Sequence, residues 1–111
     1  MPDVFQVLAD PTRRRIVDAL RAGERSVNEL VEVVDIGQPG VSRQLAILQD
    51  ADFVTVRPEG RRRLYALRPE PFRELSEFVT GYRAIWEGRL DRFGAALERR
   101  RKNKNTKEKN K

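Results

Sequence analysis

Ser42, Arg43 and Gln44 stand side by side in the stretch QPGVSRQLAILQDADFV that begins at Gln38. These side chains suit a nucleic acid. Arginine pairs with guanine or phosphate, glutamine with adenine, and serine with a base or a phosphate. Val41, Leu45 and Leu48 recur at i, i+4 and i+7, which gives one side of a helix to the core. Gly40, Ser42, Arg43 and Gln44 are then left to face outward near the helix start, and Gly40, with no side chain, permits close approach. A second cluster follows at once, with Arg57, Arg61, Arg62 and Arg63 flanking Glu59-Gly60. Strand alternation sends Arg61 and Arg63 to one face and Arg62 to the other. Such a cluster suits phosphate contact or entry into a minor groove. Each feature has a plainer alternative: an ordinary solvated helix face, and a charged edge that discourages strand-to-strand aggregation.

The remaining elements must position these two clusters. Val4, Phe5 and Leu8 form a short apolar face, consistent with a first helix. Asp10-Pro11 opens a second helix, since Asp accepts hydrogen bonds from free N–H groups and Pro suits the first position. Ile16, Val17 and Leu20 share one side of it, and Gly23 marks its end. Ser26-Val27-Asn28-Glu29 fits a capping box before a helix with Val27, Leu30, Val31 and Val34 apolar. Asp35-Ile36-Gly37 turns the chain into the helix at Gln38. Residues 53–57 are rich in strand formers, Pro58-Glu59-Gly60 turns, and residues 62–67 return. Pro58 places this hairpin at a sheet edge. From Phe72 the apolar residues Leu75, Phe78, Val79, Tyr82, Ile85, Trp86, Leu90, Phe93 and Leu97 recur every three or four positions, which predicts one long helix of about seven turns. A helix followed by an arginine-tipped hairpin is the layout of a winged helix-turn-helix, in which the helix enters the major groove and the hairpin touches the backbone beside it. The fold class is therefore mainly α (α+β), with a two-stranded wing and a long C-terminal helix for dimerisation.

The chain has 111 residues and a net charge of +6, with neither cysteine nor histidine. The charge is unevenly placed. Residues 1–98 hold fifteen Arg against sixteen Asp and Glu, a net −1, whereas residues 99–111 hold eight basic residues, including all five Lys, against one acid, a net +7. A DNA-binding face in the body must come from local clustering of arginines. The expected organisation is a DNA-binding and dimerisation domain over 1–98 and a basic disordered tail over 99–111. Without Cys there are no disulfides, redox thiols or thiolate metal sites. Without His as well, the usual nucleophile–base and acid–base pairs are missing, no Gly-rich phosphate loop appears, and an enzyme is not expected. No apolar run reaches the length of a membrane span and no secretory pattern opens the chain, so a cytoplasmic location is the default.

LADPTRRRIVDAL resembles the opening helix signature of the ArsR/SmtB family of winged-helix repressors. QPGVSRQLAILQDADFV resembles that family's recognition helix and its step into the wing, and EGRRRLYAL its returning wing strand. The resemblance covers residues 4–98. It implies a dimeric repressor in which Gln38, Ser42, Arg43 and Gln44 lie where the family meets bases and phosphates, and in which the first and last helices make the dimer. Members often carry His where this chain has Gln44, so base preference is expected to differ there. Metal sensing, for which the family is best known, is not expected. The helix that often carries a cysteine pair reads ELVEVVD, and the last helix has no His, leaving carboxylates such as Glu87 and Asp91, a poor site for a borderline transition metal. YRAIWEGRLDRF resembles a branch without the usual metal boxes.

The function expected is sequence-specific regulation of transcription, as a homodimeric repressor on a two-fold-symmetric operator in double-stranded DNA. No cofactor, metal or membrane is involved, and the effector is left unassigned. Val4, Phe5, Leu8, Phe78, Tyr82, Ile85, Trp86 and Phe93 are the expected dimer contacts, since aromatic residues anchor interfaces; the plainer alternative is that the last helix folds back on its own domain. Two rival functions stand beside this one: a winged-helix protein–protein module that docks a partner on the last helix, and a non-specific DNA-coating protein that uses the basic tail.

Overall fold

The computed structural model describes residues 3–88. The elements run α1 (Val4–Ala9), α2 (Pro11–Leu20), β1 (Arg25–Ser26), α3 (Val27–Val34), α4 (Gln38–Asp50), β2 (Val54–Glu59), β3 (Arg62–Leu67), α5 (Glu70–Thr80) and α6 (Arg83–Trp86). They fall into two compact units, the first ending at Glu74 and the second starting at Leu75.

In the first unit, local chemistry sets the helix ends. A helix as short as α1 is unstable alone, so both of its ends are held. Asp3 and Gln6 exchange side-chain to backbone hydrogen bonds of 2.8 Å at its start. At its end, the last four carbonyls accept from two arginines of α2. Arg13 donates to Gln6 and Val7, and Arg14 to Leu8 and Ala9. Asp10 caps α2 as expected, accepting from the Thr12 amide at 2.7 Å. The Ser26–Glu29 capping box also forms, with Glu29 accepting from the Ser26 amide at 2.8 Å.

The core lies where α1 to α4 meet the sheet. Val7, Ile16, Leu30, Val41 and Leu48 are fully buried, and Leu45 and Phe53 nearly so. Each contributes roughly 1.5–3 kcal/mol by leaving water. Val4 belongs here too, at 5% exposure. Its expected place at a dimer interface is therefore corrected: its own chain covers it, whereas Phe5 is exposed and Leu8 half-buried.

The sheet is antiparallel, in the order β1-β3-β2. The hairpin with Pro58 on an edge strand forms as expected. Its turn differs: Pro58 and Glu59 still pair with Arg63 and Arg62, so only Gly60 and Arg61 turn the chain. Gly60 takes φ +62, which favours glycine in a two-residue hairpin. The third strand, β1, was not expected, because two residues are too few to show alternation. Ala51, Asp52 and Phe53 alone join α4 to β2. The Phe53 ring meets Phe72 edge-on at 5.8 Å, and its carbonyl accepts from the Arg68 amide at 2.8 Å. This short joint, with Ala51 and Phe53 buried, sets the wing next to α4.

The single long helix expected from Phe72 is corrected. α5 stops at Thr80, and a separate turn, α6, runs over Arg83–Trp86. The periodic apolar pattern runs straight through Gly81, a residue that costs a helix interior about 1 kcal/mol against Ala, just after two β-branched residues. A Cβ there would make only ordinary contact, 3.4 Å from the Phe78 carbonyl, so backbone entropy and not crowding explains the break. Gly88, at φ +73, closes α6. Within the second unit Phe78 and Tyr82 pack at 5.0 Å, and Arg83 binds Glu87 at 2.9 Å. Leu90, Asp91, Phe93, Leu97 and the basic segment 99–111 lie outside the described residues. Among those described, no helix is long and apolar enough to cross a membrane.

Candidate nucleic-acid interface

α4 buries Val41, Leu45 and Leu48 and turns Gln38, Ser42 and Arg43 to solvent. Gly37 precedes the helix as its N-cap and supplies no side-chain cap, so the first amides are open. Arg43 makes no ion pair among the described residues. An uncommitted guanidinium beside a hydroxyl on the first turns of an exposed helix face is suited to hydrogen bonds with base edges and phosphates.

Two residues of this helix sit differently from expectation. Gly40 is half-buried, and a Cβ built on it lies 3.3 Å from Ile36 Cδ1. Its missing side chain makes room for Ile36 in the preceding turn and does not point outward. Gln44 is also half-buried, and its Oε1 accepts a hydrogen bond from Arg13 Nη1 at 3.2 Å. It is anchored to α2 rather than free. Arg13 is the residue that sequence reasoning missed here. It sits in a run of three arginines that reads as a helix surface, and the sequence gives no sign that the first of them turns inward.

The four wing arginines divide into two kinds. Arg57 donates through Nε and Nη2 to both carboxylate oxygens of Glu24 and also lies near Glu59. That hydrogen bond holds the Glu24 carboxyl below the usual carboxylate range and raises Arg57. Arg62 donates to Glu59 at 2.9 Å and lies 3.9 Å from Glu29. Glu29 is also held low, first by the Ser26 amide and then by the nearby Arg62 charge. Arg61 and Arg63 are exposed and make no ion pair among the described residues. Alternation thus produces two chemically distinct sets: a paired set that ties the wing to Glu24 and Glu29, and an unpaired set open to an anion.

Phe78, Tyr82, Ile85 and Trp86 are all exposed, at 49%, 51%, 59% and 61%, together with Val79. Five large apolar side chains within nine residues exceed the scattered exposure usual on a soluble surface. Phe93 lies outside the described residues. Among the described residues no three acidic side chains converge as a metal site would require.

A helix-turn-helix domain model matches residues 8–57, the span from the end of α1 into β2. The transcriptional regulator Rv2034 of Mycobacterium tuberculosis is 45% identical over 69 residues, covering 61% of this chain and 64% of its own length. The chain thus spans just under two thirds of that relative. The crystal structure of an ArsR family transcriptional regulator superposes with a TM-score of 0.63 at 32% identity, covering 78% of this chain and 90% of that one. The solution structure of the homodimeric winged helix-turn-helix DNA-binding domain of Mb0332 from Mycobacterium bovis superposes with a TM-score of 0.62 at 26% identity, covering 76% and 79%. These are regulators and not enzymes. The chain belongs to the ArsR family of winged helix-turn-helix transcriptional regulators.

Proposed function

We propose that this chain acts as a homodimeric repressor that binds a two-fold-symmetric operator in the cytoplasm. The observation that carries the reading is the coincidence of two sets of uncommitted cations on consecutive, rigidly joined elements: Arg43 on α4, and Arg61 and Arg63 on the wing. Gln38 and Ser42 supply further hydrogen-bonding groups beside Arg43. Residues 1–98 form the functional domain, with 99–111 as an accessory basic segment. Dimerisation is supported by the exposed Phe78, Tyr82, Ile85 and Trp86 and by the homodimeric state of Mb0332. Two-fold symmetry sets two recognition helices about one DNA turn apart, roughly 34–36 Å. No metal or cofactor is assigned, and the releasing signal is left open.

The test is selection of bound sequences from a random duplex pool, followed by titration at several salt concentrations and by sedimentation. A palindromic consensus, a steep salt dependence and a dimer support the reading. A monomer with no sequence preference and a flat salt response refutes it in favour of a protein–protein module. Deleting residues 99–111 separates operator reading from DNA coating by the tail.

A further inference from the structure

We infer that Arg13 is a positioning residue for base selection: it pins the Gln44 amide so that α4 presents an NH2 group, and not a carbonyl, to the base below. This rests on the proposed reading of DNA by α4.

The geometry is specific. Arg13 Nη1 stands 3.2 Å from Gln44 Oε1. A guanidinium only donates, so the Gln44 atom that faces it must be the oxygen. Arg13 is itself fixed. Its Nε donates to the Val7 carbonyl at 2.9 Å, its Nη2 to the Gln6 carbonyl at 3.3 Å, and Nη1 also reaches Asp10 Oδ2 at 3.5 Å. Asp10 in turn is held by the Thr12 and Arg13 amides. The Arg13 side chain is only 17% exposed, so this network is sheltered from water. A planar fork with this many partners does not follow Gln44 if the amide rotates.

The consequence concerns which base Gln44 accepts. A free glutamine reads adenine with both ends, its oxygen accepting from N6 and its nitrogen donating to N7. Here the oxygen is drawn toward Arg13, and the two Nε2 hydrogens remain. They match a base whose major-groove acceptors have no donor beside them, O6 and N7 of guanine or O4 of thymine; the N7 of adenine lies next to its N6 donor, which then lacks the Gln44 oxygen as its acceptor. Because the same guanidinium closes the last turn of α1, the position of α1 bears directly on this selection.

The test uses the full chain. The operator position read by Gln44 is the one whose preference Gln44→Ala flattens. Binding is then measured to the four base-pair variants at that position. Wild type is expected to favour guanine or thymine by about tenfold, the size of one good base contact. Arg13→Met should bring that preference within about twofold or move it to adenine, leaving other positions and random-DNA affinity unchanged. Gln44→Glu keeps an oxygen for Arg13 but has no donor; it should lose the same preference without a lower melting temperature. If Arg13→Met does not fold, Gln44→Glu decides alone. Three results overturn the inference: a wild-type adenine or cytosine preference there, no position flattened by Gln44→Ala, or a preference that survives both variants. A wild-type protein that selects no sequence refutes the DNA-reading function itself, and is distinguished from those results by failing before any variant is compared.

Discussion

Four arginines on the wing carry the same formal charge, yet two should register more strongly than the other two when the salt dependence of DNA binding is measured. Each lysine or arginine that neutralises a phosphate releases condensed counterions and adds about 0.9 to the slope of log affinity against log salt. Arg61 and Arg63 are exposed and unpaired among the described residues, so each has its full charge to offer. Arg57 is bound at both ends of the Glu24 carboxylate, and Arg62 lies between Glu59 and Glu29. To meet a phosphate they must first leave a carboxylate, which cancels most of the gain. Arg61→Gln and Arg63→Gln should therefore each lower the slope by about 0.9, equivalent to a factor of about 3.5 in affinity over a fourfold change in salt, and the double variant by about 1.8. Arg57→Gln and Arg62→Gln should lower it by less than about half as much per residue. The assay is fluorescence anisotropy on one operator duplex and one random duplex, at salt concentrations from about 50 to 200 mM. Any account based on net charge alone expects the four variants to behave alike. Equal slope losses across all four would refute the division of the wing into paired and unpaired sets.

Arg43→Ala should cost about 1–3 kcal/mol on the preferred operator and less on random DNA, read by competitive titration, as for a direct base contact. Gly81→Ala should join α5 to α6 and raise both the helical circular dichroism signal and the stability by up to about 1 kcal/mol, since the added methyl meets only ordinary contacts. Glu24 is held below the usual carboxylate range by Arg57, so its pair stabilises the fold fully above the unfolded carboxylate value and is lost as pH falls through the lower folded value. Carbon-detected titration of the Glu24 carboxyl should show a midpoint below those of exposed glutamates, and an ordinary midpoint would count against the pair. Trp86 is 61% exposed, so Trp86→Ala should leave the monomer's fold intact and instead weaken dimerisation, seen by sedimentation at micromolar concentration.

The parts of the fold written in strong local chemistry were legible in the sequence. Asp10-Pro11 and the Ser26–Glu29 box state helix starts in side chains that bond their own backbone. The Val41, Leu45 and Leu48 spacing assigned the buried face of α4 because burial is what the period encodes. The errors have equally physical causes. The apolar pattern from Leu75 onward keeps helical spacing across Gly81, and periodicity reports which residues share a face without reporting whether the backbone between them stays helical. Val4 lies on the same face of α1 as Val7, and a short apolar stripe does not say whether its own chain or another covers it. Gly40 reads as space for a ligand until Ile36 is seen next to it. Gln44 and Arg13 lie 31 residues apart, and no local pattern joins them.

How a body of net charge near zero can attract a polyanion is answered by where its arginines are committed. Arg13, Arg14 and Arg25 are turned to backbone carbonyls at the ends of α1 and α2. They cap helices whose terminal groups would otherwise lack partners. Arg57 and Arg62 are matched to carboxylates, which tie the wing to the loop before β1 and to α3. Arg43 on α4 and Arg61 and Arg63 at the wing tip are left without an ion partner among the described residues, as is Arg15 on α2. The formal charge counts all of these alike, but an approaching phosphate does not. At separations near the Debye length, about 8 Å in physiological salt, it responds to cations whose field is not already closed by a neighbouring carboxylate. The acids that cancel the total charge therefore also sharpen the pattern on the wing: by occupying Arg57 and Arg62 they leave Arg61 and Arg63 as its open cations, on the hairpin that follows the helix carrying Arg43.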